Sequence, residues 1–200
     1  MIPKILHFVW VGDESKLPRE QINSWVDFNP TYTVKLWTDR ELNSQRWALE
    51  KHIREIYDIE LCGVADMMRY EIVYSYGGIA LDADSTCQRP LDDHLLEPSE
   101  FFCWESEKER PGLIATAVMA GDRYSEFFGE LVNRLYRKDS VVKERAWITT
   151  GPTHLTDTYK AIPNNITVYP SHYFIPNHFK SERYKGTGAV YCTQDWGSTV

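Results

Sequence analysis

"VADMMRYEIVYSYGGIALDADS", residues 64–85, changes its apolar period midway, and that change decides the architecture. Val64, Met67 or Met68, Ile72 and Tyr76 recur at helical spacing, which predicts a helix over this part of the chain. Gly77 and Gly78 supply the stop, because glycine enters the left-handed conformation that ends helices without a Cβ penalty. "IALDA", residues 79–83, follows at once as a strand, and Asp82 and Asp84 stand where it ends. Residues i and i+2 of a strand share a face, so both carboxylates are predicted to aim the same way while Ala83 points away.

Outward from this block the same alternation continues. "ILHFVWV", residues 5–11, is a continuous apolar run closed by Gly12, the pattern of a strand covered on both faces. Pro18 sits where a helix can begin, and Ile22, Trp25, Val26 and Phe28 give that helix its apolar positions. Asn29-Pro30 stops it, and "YTVKLWT", residues 32–38, alternates as a second strand. Residues 40–57 are predicted to form one amphipathic helix with Trp47, Ile53 and Ile56 inward. "FFCWE" (101–105) and "LIATAVMA" (113–120) read as strands and 123–137 as a helix. Residues 163–200, rich in Pro, Tyr and Gly, are predicted to be irregular with one short strand, "ITVY". Strands alternating with helices imply an α/β sandwich with a largely parallel central sheet. With 200 residues, no repeat and no linker, residues 1–200 are expected to form a single domain.

Composition narrows the class. The net charge of −7, without basic runs, argues against nucleic-acid and anionic-membrane partners, whose phosphates need clustered Lys and Arg. Seven Trp and twelve Tyr can build a core, but they also suit flat ligands such as bases and sugar rings. Cys62, Cys87, Cys103 and Cys192 form no CxxC pair, which predicts reduced, structural thiols and a cytoplasmic location. The first strand lacks the cleavage site of a signal peptide, and no apolar run approaches the ~20 residues of a membrane span.

Ligands of such sheets collect at the carboxyl ends of strands, where Asp82 and Asp84 stand. Two like charges so close raise each other's cost of ionisation unless a cation or donor groups offset it. A divalent ion is the simplest remedy, and hard oxygen ligands favour Mg²⁺ or Mn²⁺. The plainer reading is a turn aspartate and a capping aspartate ahead of Ser85-Thr86. Asp66 and Arg69, three apart, lie on one helical face just before the glycine turn. Taken singly they are a local surface pair; placed before D-x-D they make a composite signal.

"IPKILHFVWVG", "NSWVDFNPTYTVKLWTD", "ADMMRYEIVYSYGGIALDADS", "TGPTHLT" and "ITVYPSHYFIP" together resemble the DXD-containing sugar transferases of glycosyltransferase family 32. They are similar also to the catalytic domain of the large clostridial glucosylating toxins. The resemblance runs in the same order from residue 2 to about residue 199. It implies a GT-A (Rossmann-like) fold, a nucleotide-diphosphate sugar donor (UDP favoured over GDP), a Mn²⁺ or Mg²⁺ ion, and hexosyl transfer with retention at the anomeric carbon. It further implies that Trp10 stacks on the base, that Asp66 and Arg69 hold donor sugar hydroxyls, that Asp82 faces ribose and sugar, and that Asp84 ligates the metal. The C-terminal "QDWGST" resembles a closing segment in which Gln194 replaces the usual histidine at a metal position, with Trp196 and Ser198 as closing residues. Acceptor determinants are expected at 105–112 and 170–188, the latter with His172 and His178. A polysaccharide, a lipid-linked glycan and a protein hydroxyl all stay open as acceptors. Two other readings compete: a haloacid-dehalogenase-like phosphatase with Asp82 as nucleophile in "LDADST", and a non-catalytic sugar-binding module.

Overall fold

A computed structural model describes residues 1–180 and 183–195. The chain opens with strand β1 (Ile5–Val9) and helix α1 (Arg19–Phe28), which begins directly after Pro18. Strand β2 (Thr33–Trp37) leads into α2 (Asp39–Ser44) and α3 (Glu50–Ile56). The single helix expected over 40–57 is thus two. Thr38 and Glu41 form a reciprocal capping box that starts α2. The Glu71 carboxylate then accepts the backbone N–H groups of Ala48 and Leu49, both at 2.8 Å, and starts α3 separately.

Helix α4 (Leu61–Tyr76) runs as its apolar period requires and ends on Gly77 and Gly78, at φ +65° and +102°. Strand β3 (Gly78–Leu81) follows without a loop. β4 (Ser85–Cys87), β5 (Glu100–Ser106) and β6 (Arg110–Gly121) come next, then α5 (Glu126–Tyr136), α6 (Ala146–Thr149) and α7 (Pro152–Ala161). The described chain closes with β7 (Thr167–Tyr169) and β8 (Cys192–Gln194). The single strand expected in 163–200 therefore has a second companion, β8, which pairs with β4. Three polar and small residues, Cys-Thr-Gln, carry no alternation to announce it.

The main sheet has the order β2-β1-β3-β6-β5-β7. The β1–β2, β1–β3 and β5–β7 pairs are parallel, and β6 alone runs against the rest. Its strands are apolar on both faces, which is why they read as continuous runs. Ala80, Phe102 and Met119 face α3, α4, α5 and α7. Their neighbours Ile79, Leu81, Phe101, Cys103, Val118 and Ala120 face α1 and a short turn of helix at Asp93–Leu96. Among the described residues no helix is long and apolar enough to cross a membrane.

Candidate active site at the carboxyl edge of the sheet

Parallel pairing places Phe8 opposite Leu81, so Trp10 and Asp82 emerge side by side from the carboxyl ends of β1 and β3. Asp82–Asp84 does not continue the strand: β3 stops at Leu81 and the acids occupy the turn into β4. The Asp82 carbonyl accepts from the Ser85 backbone N–H at 3.1 Å and from its hydroxyl at 2.6 Å, while the Trp25 indole donates to that hydroxyl at 3.1 Å. A turn, not strand alternation, thus sets the two carboxylates. Burial still alternates, with Ala83 and Ser85 inside and Asp82 and Asp84 partly exposed.

The helix before the glycine turn supplies the partner. Arg69 bridges two carboxylates: one terminal nitrogen donates to Asp66 at 2.7 Å and the other to Asp82. Asp66 and Arg69 are both 5% exposed, so this is a buried site and not the surface pair of the plainer reading. Burial pushes the Asp66 carboxyl up to about 6, against the pull of Arg69 and a hydrogen bond from the Thr116 hydroxyl. Burial opposes the Arg69 charge, but Asp82 and Asp66 outweigh it and hold the guanidinium above its usual range. Its Nε is buried without a hydrogen-bond partner, a donor that the folded chain itself leaves unused.

Around this triad lie residues with no signal of their own in the sequence. A Cβ at Gly151 would stand 3.0 Å from an Asp66 oxygen and 3.0 Å from the Trp147 Cα, so α6 and the start of α7 press onto the carboxylate. The Tyr70 hydroxyl donates to the Thr150 carbonyl at 2.8 Å and fixes that approach. Thr116 reaches Asp66 from β6, at a position indistinguishable from any other in an apolar run.

Trp10 lies half-buried past the end of β1. Its backbone N–H extends the ladder to the Trp37 carbonyl at 2.8 Å, and its indole N–H donates to the Asp13 carbonyl at 3.0 Å. Gln194 comes to the D-x-D turn through the β4–β8 ladder, directly opposite Ser85. It is 6% exposed, and its amide nitrogen donates to the Phe174 carbonyl at 3.0 Å. Trp196 and Ser198 lie outside the described residues.

The two segments expected to meet an acceptor are brought together. The tip of the β5–β6 hairpin touches the segment after β7, where the Glu107 carboxylate accepts from the Ser171 backbone N–H at 2.8 Å. The six histidines take separate places. His7 is buried with Nδ1 accepting from Trp37 and Nε2 at 2.9 Å from the Gly77 carbonyl, and His154 is buried with Nε2 at 3.1 Å from the Leu131 carbonyl. His172 stacks on Tyr184 at 4.1 Å between ring centroids.

Among the described residues no three His, Cys, Asp or Glu side chains converge to make a self-contained metal site. The Asp82-x-Asp84 turn offers instead hard oxygens from two neighbouring carboxylates. That donor set suits a Mg²⁺ or Mn²⁺ ion that completes its shell with substrate phosphate oxygens and water.

Comparison with known proteins agrees with this geometry. Residues 15–102 match the family described as the glycosyltransferase sugar-binding region containing a DXD motif. The chain is 34% identical over 144 residues to inositol phosphoceramide mannosyltransferase 3 of Schizosaccharomyces pombe, an alignment covering 68% of this chain and 38% of that protein. The chain thus spans about two-fifths of the length of that relative. The PaToxG glycosyltransferase superposes with a TM-score of 0.63 at 13% identity, over 81% of this chain and 70% of that one. The UDP-bound glycosyltransferase domain from the YGT toxin gives 0.53 at 9% identity, over 95% and 83%. At those identities the likeness is one of fold, the GT-A fold. With Arg69 joining Asp66 to the first acid of the motif, residues 15–102 match the sugar-binding region of the DXD-containing glycosyltransferases, and the chain resembles that family.

Proposed function

We propose that residues 1–200 act as one GT-A unit that transfers a hexose from a nucleotide-diphosphate sugar to an acceptor hydroxyl, with Mn²⁺ or Mg²⁺ and retention at the anomeric carbon. The observation that carries the reading is the buried Asp66–Arg69–Asp82 bridge at the sheet edge beside Trp10. The UDP in the YGT toxin domain supports a UDP-sugar donor. The fungal relative, an inositol phosphoceramide mannosyltransferase, supports a hexosyl group and an acceptor that combines a polyol with a phosphate.

In this reading Trp10 stacks on the base, and Asp66 and Arg69 receive donor sugar hydroxyls. Asp82 and Asp84, with Gln194 alongside, would hold the ion at the diphosphate. When bound, the ion neutralises charge developing on the leaving diphosphate. Arg69 keeps Asp82 turned toward the sugar and adds a fixed positive charge nearby. Asp82 and Glu105 are each engaged by an arginine, so neither carboxylate stands unpaired as a ready general base. That supports retention, with the acceptor attacking on the leaving-group face and its proton passing to the leaving phosphate.

Hydrolysis of a panel of UDP- and GDP-hexoses with Mn²⁺ tests the donor, and NMR of the first-formed sugar tests the stereochemistry. An inverted anomer would remove the retaining assignment. Asp84→Asn is expected to abolish metal-dependent nucleotide binding and to slow turnover by at least ~10²-fold, the scale of one lost electrostatic stabiliser. Release of phosphate from simple esters would instead reopen the phosphatase reading. That reading expects its motif on a first strand, whereas Asp82 follows the third in chain order. A nucleotide sugar bound tightly but never turned over would favour the binding module.

A further inference from the structure

The ribbon behind the D-x-D turn holds two thiols that the donor-site reading does not use. Among the described residues β4 and β8 pair only with each other, three residues a side, apart from the six-stranded sheet. A two-stranded ribbon of that length is marginal in water on its own hydrogen bonds. Cys87 and Cys192 stand directly opposite each other in it. The Gln88 N–H donates to the Tyr191 carbonyl at 2.8 Å, which makes 88 and 191 a hydrogen-bonded pair. Pairs alternate along an antiparallel ladder, so 87 and 192 form a non-hydrogen-bonded pair. The Cys87 N–H accordingly turns out of the ladder, donating to the Ser24 hydroxyl at 2.9 Å. Such a pair brings its Cα atoms to about 4.5 Å and puts both side chains on one face. A disulfide needs Cα atoms about 4.4–6.8 Å apart, and this register meets that condition.

Both thiols are free, and both are buried against the core, at 3% and 0% exposure. Each S–H has its own acceptor: Cys87 donates to the Arg89 carbonyl and Cys192 to the Phe174 carbonyl, both at 3.2 Å. Burial pushes the Cys87 thiol up to about 11 and Cys192 well above its usual value, so neither is a nucleophile while β8 is seated. Access comes with local opening, which a three-residue ribbon undergoes far more readily than the large sheet. The spacing of the two cysteines hides this relation in the sequence, because only the β4–β8 pairing brings them together.

We propose that Cys87 and Cys192 are a redox modification site, which an oxidant of the glutathione-disulfide class converts into an intramolecular disulfide joining β8 to β4. As β8 lifts, one cysteine attacks a sulfur of the oxidant; its proton leaves with the displaced glutathione, and a mixed disulfide remains. As β8 reseats, the second cysteine attacks the protein sulfur of that mixed disulfide and releases the second glutathione with its own proton. Two protein thiols are oxidised to one disulfide, and one glutathione disulfide is reduced to two thiols. The bond holds Gln194 opposite Ser85, whose hydroxyl and N–H lock the Asp82 carbonyl, so it fixes the ribbon beside the D-x-D acids. The inference goes beyond the glycosyltransferase reading and does not depend on it.

The test uses the full chain with the exposed Cys62 removed as Cys62→Ser, incubated with oxidised glutathione, alkylated, and mapped by peptide mass spectrometry. One cross-linked species joining residues 87 and 192 is expected, lighter than the reduced chain by two hydrogens and restored by dithiothreitol. Cys87→Ala and Cys192→Ala should each abolish it, whereas Cys103→Ala, which removes the third thiol of the same core, should leave it. Hydrogen exchange at the Gln88 amide, bonded across the ribbon to Tyr191, is expected to be at least tenfold slower in the oxidised protein. Thiols that persist after prolonged incubation, a glutathione adduct that never resolves, or a link from Cys192 to Cys103 would each overturn the assignment. A Cys87–Cys192 link that leaves Gln88 exchange unchanged overturns the hold on the ribbon. None of these readouts involves a nucleotide sugar, so loss of the donor reading would leave them standing.

Discussion

Arg69 holds two carboxylates on one planar head, a task its chemistry allows and that of lysine does not. Arg69→Lys keeps the positive charge but loses the planar fork whose two separate nitrogens span Asp66 and Asp82. Turnover and sugar selectivity are expected to fall at least tenfold, while affinity for the bare nucleotide diphosphate stays nearly intact; kinetics beside calorimetry would show the split. Equal losses for donor and diphosphate would move Arg69 to the phosphate site. Trp10 offers a complementary case. Its indole is tied at one edge to the Asp13 carbonyl, which leaves the ring face available for stacking. Stacking a base on an aromatic ring contributes about 1–3 kcal/mol, so Trp10→Ala should weaken nucleotide binding roughly tenfold or more. Unchanged affinity in a folded variant would make Trp10 a packing residue only.

The helix–strand junction is where an element-scale prediction is sharpest. Gly78 adopts φ +102°, and a Cβ there would stand 2.7 Å from the Ile5 carbonyl oxygen of the neighbouring strand. Gly112 also has a positive φ, +79°, but nothing lies within 4 Å of its Cβ position. Gly78→Ala therefore meets both backbone strain and a main-chain clash, whereas Gly112→Ala meets the strain alone, about 1–2 kcal/mol. Urea denaturation should show Gly78→Ala clearly the less stable of the two. It should also reduce turnover, because the D-x-D turn hangs on β3. Similar stabilities for both variants would mean that β1 and β3 can part at no cost.

Two buried histidines make the stability of the whole molecule sensitive to acid. Burial holds His7 and His154 down to about 4, against 6.5 for a free imidazole, and each hydrogen-bonds in its neutral form. The unfolded chain takes up their protons below pH 6.5 and the folded chain resists until about 4, so their contribution is complete above 6.5 and lost across that window. Asp66 works the other way: held up to about 6, it protonates first in the folded chain and recovers part of the loss between 6 and its unfolded value of 3.8. Two histidines outweigh one aspartate, so these groups together cost stability as the pH falls from 7 to 4. Urea midpoints at pH 7.5 and 5 should therefore differ, and His154→Gln, which can still donate to the Leu131 carbonyl, should shrink the difference. A midpoint that does not move with pH would show both imidazoles to be solvated.

What the sequence by itself determined is local. Apolar period and glycine placement settled α4, its stop at Gly77 and the strand after it, because those depend on neighbours three or four residues away. The pairing of Asp66 with Arg69 was legible for the same reason, at i and i+3. Tertiary structure alone decided the rest. The split between α2 and α3 comes from Glu71, more than twenty residues downstream, capping Leu49. The D-x-D acids lie on a turn locked by Ser85 and Trp25, so the face they share is set by hydrogen bonds from α1 and not by strand alternation. β8 exists because β4 is there to pair with it, and it carries Gln194 to the turn. Thr116, Trp147 and Gly151 reach the site from three segments with no pattern to mark them, since a contact across the fold leaves no period in the chain.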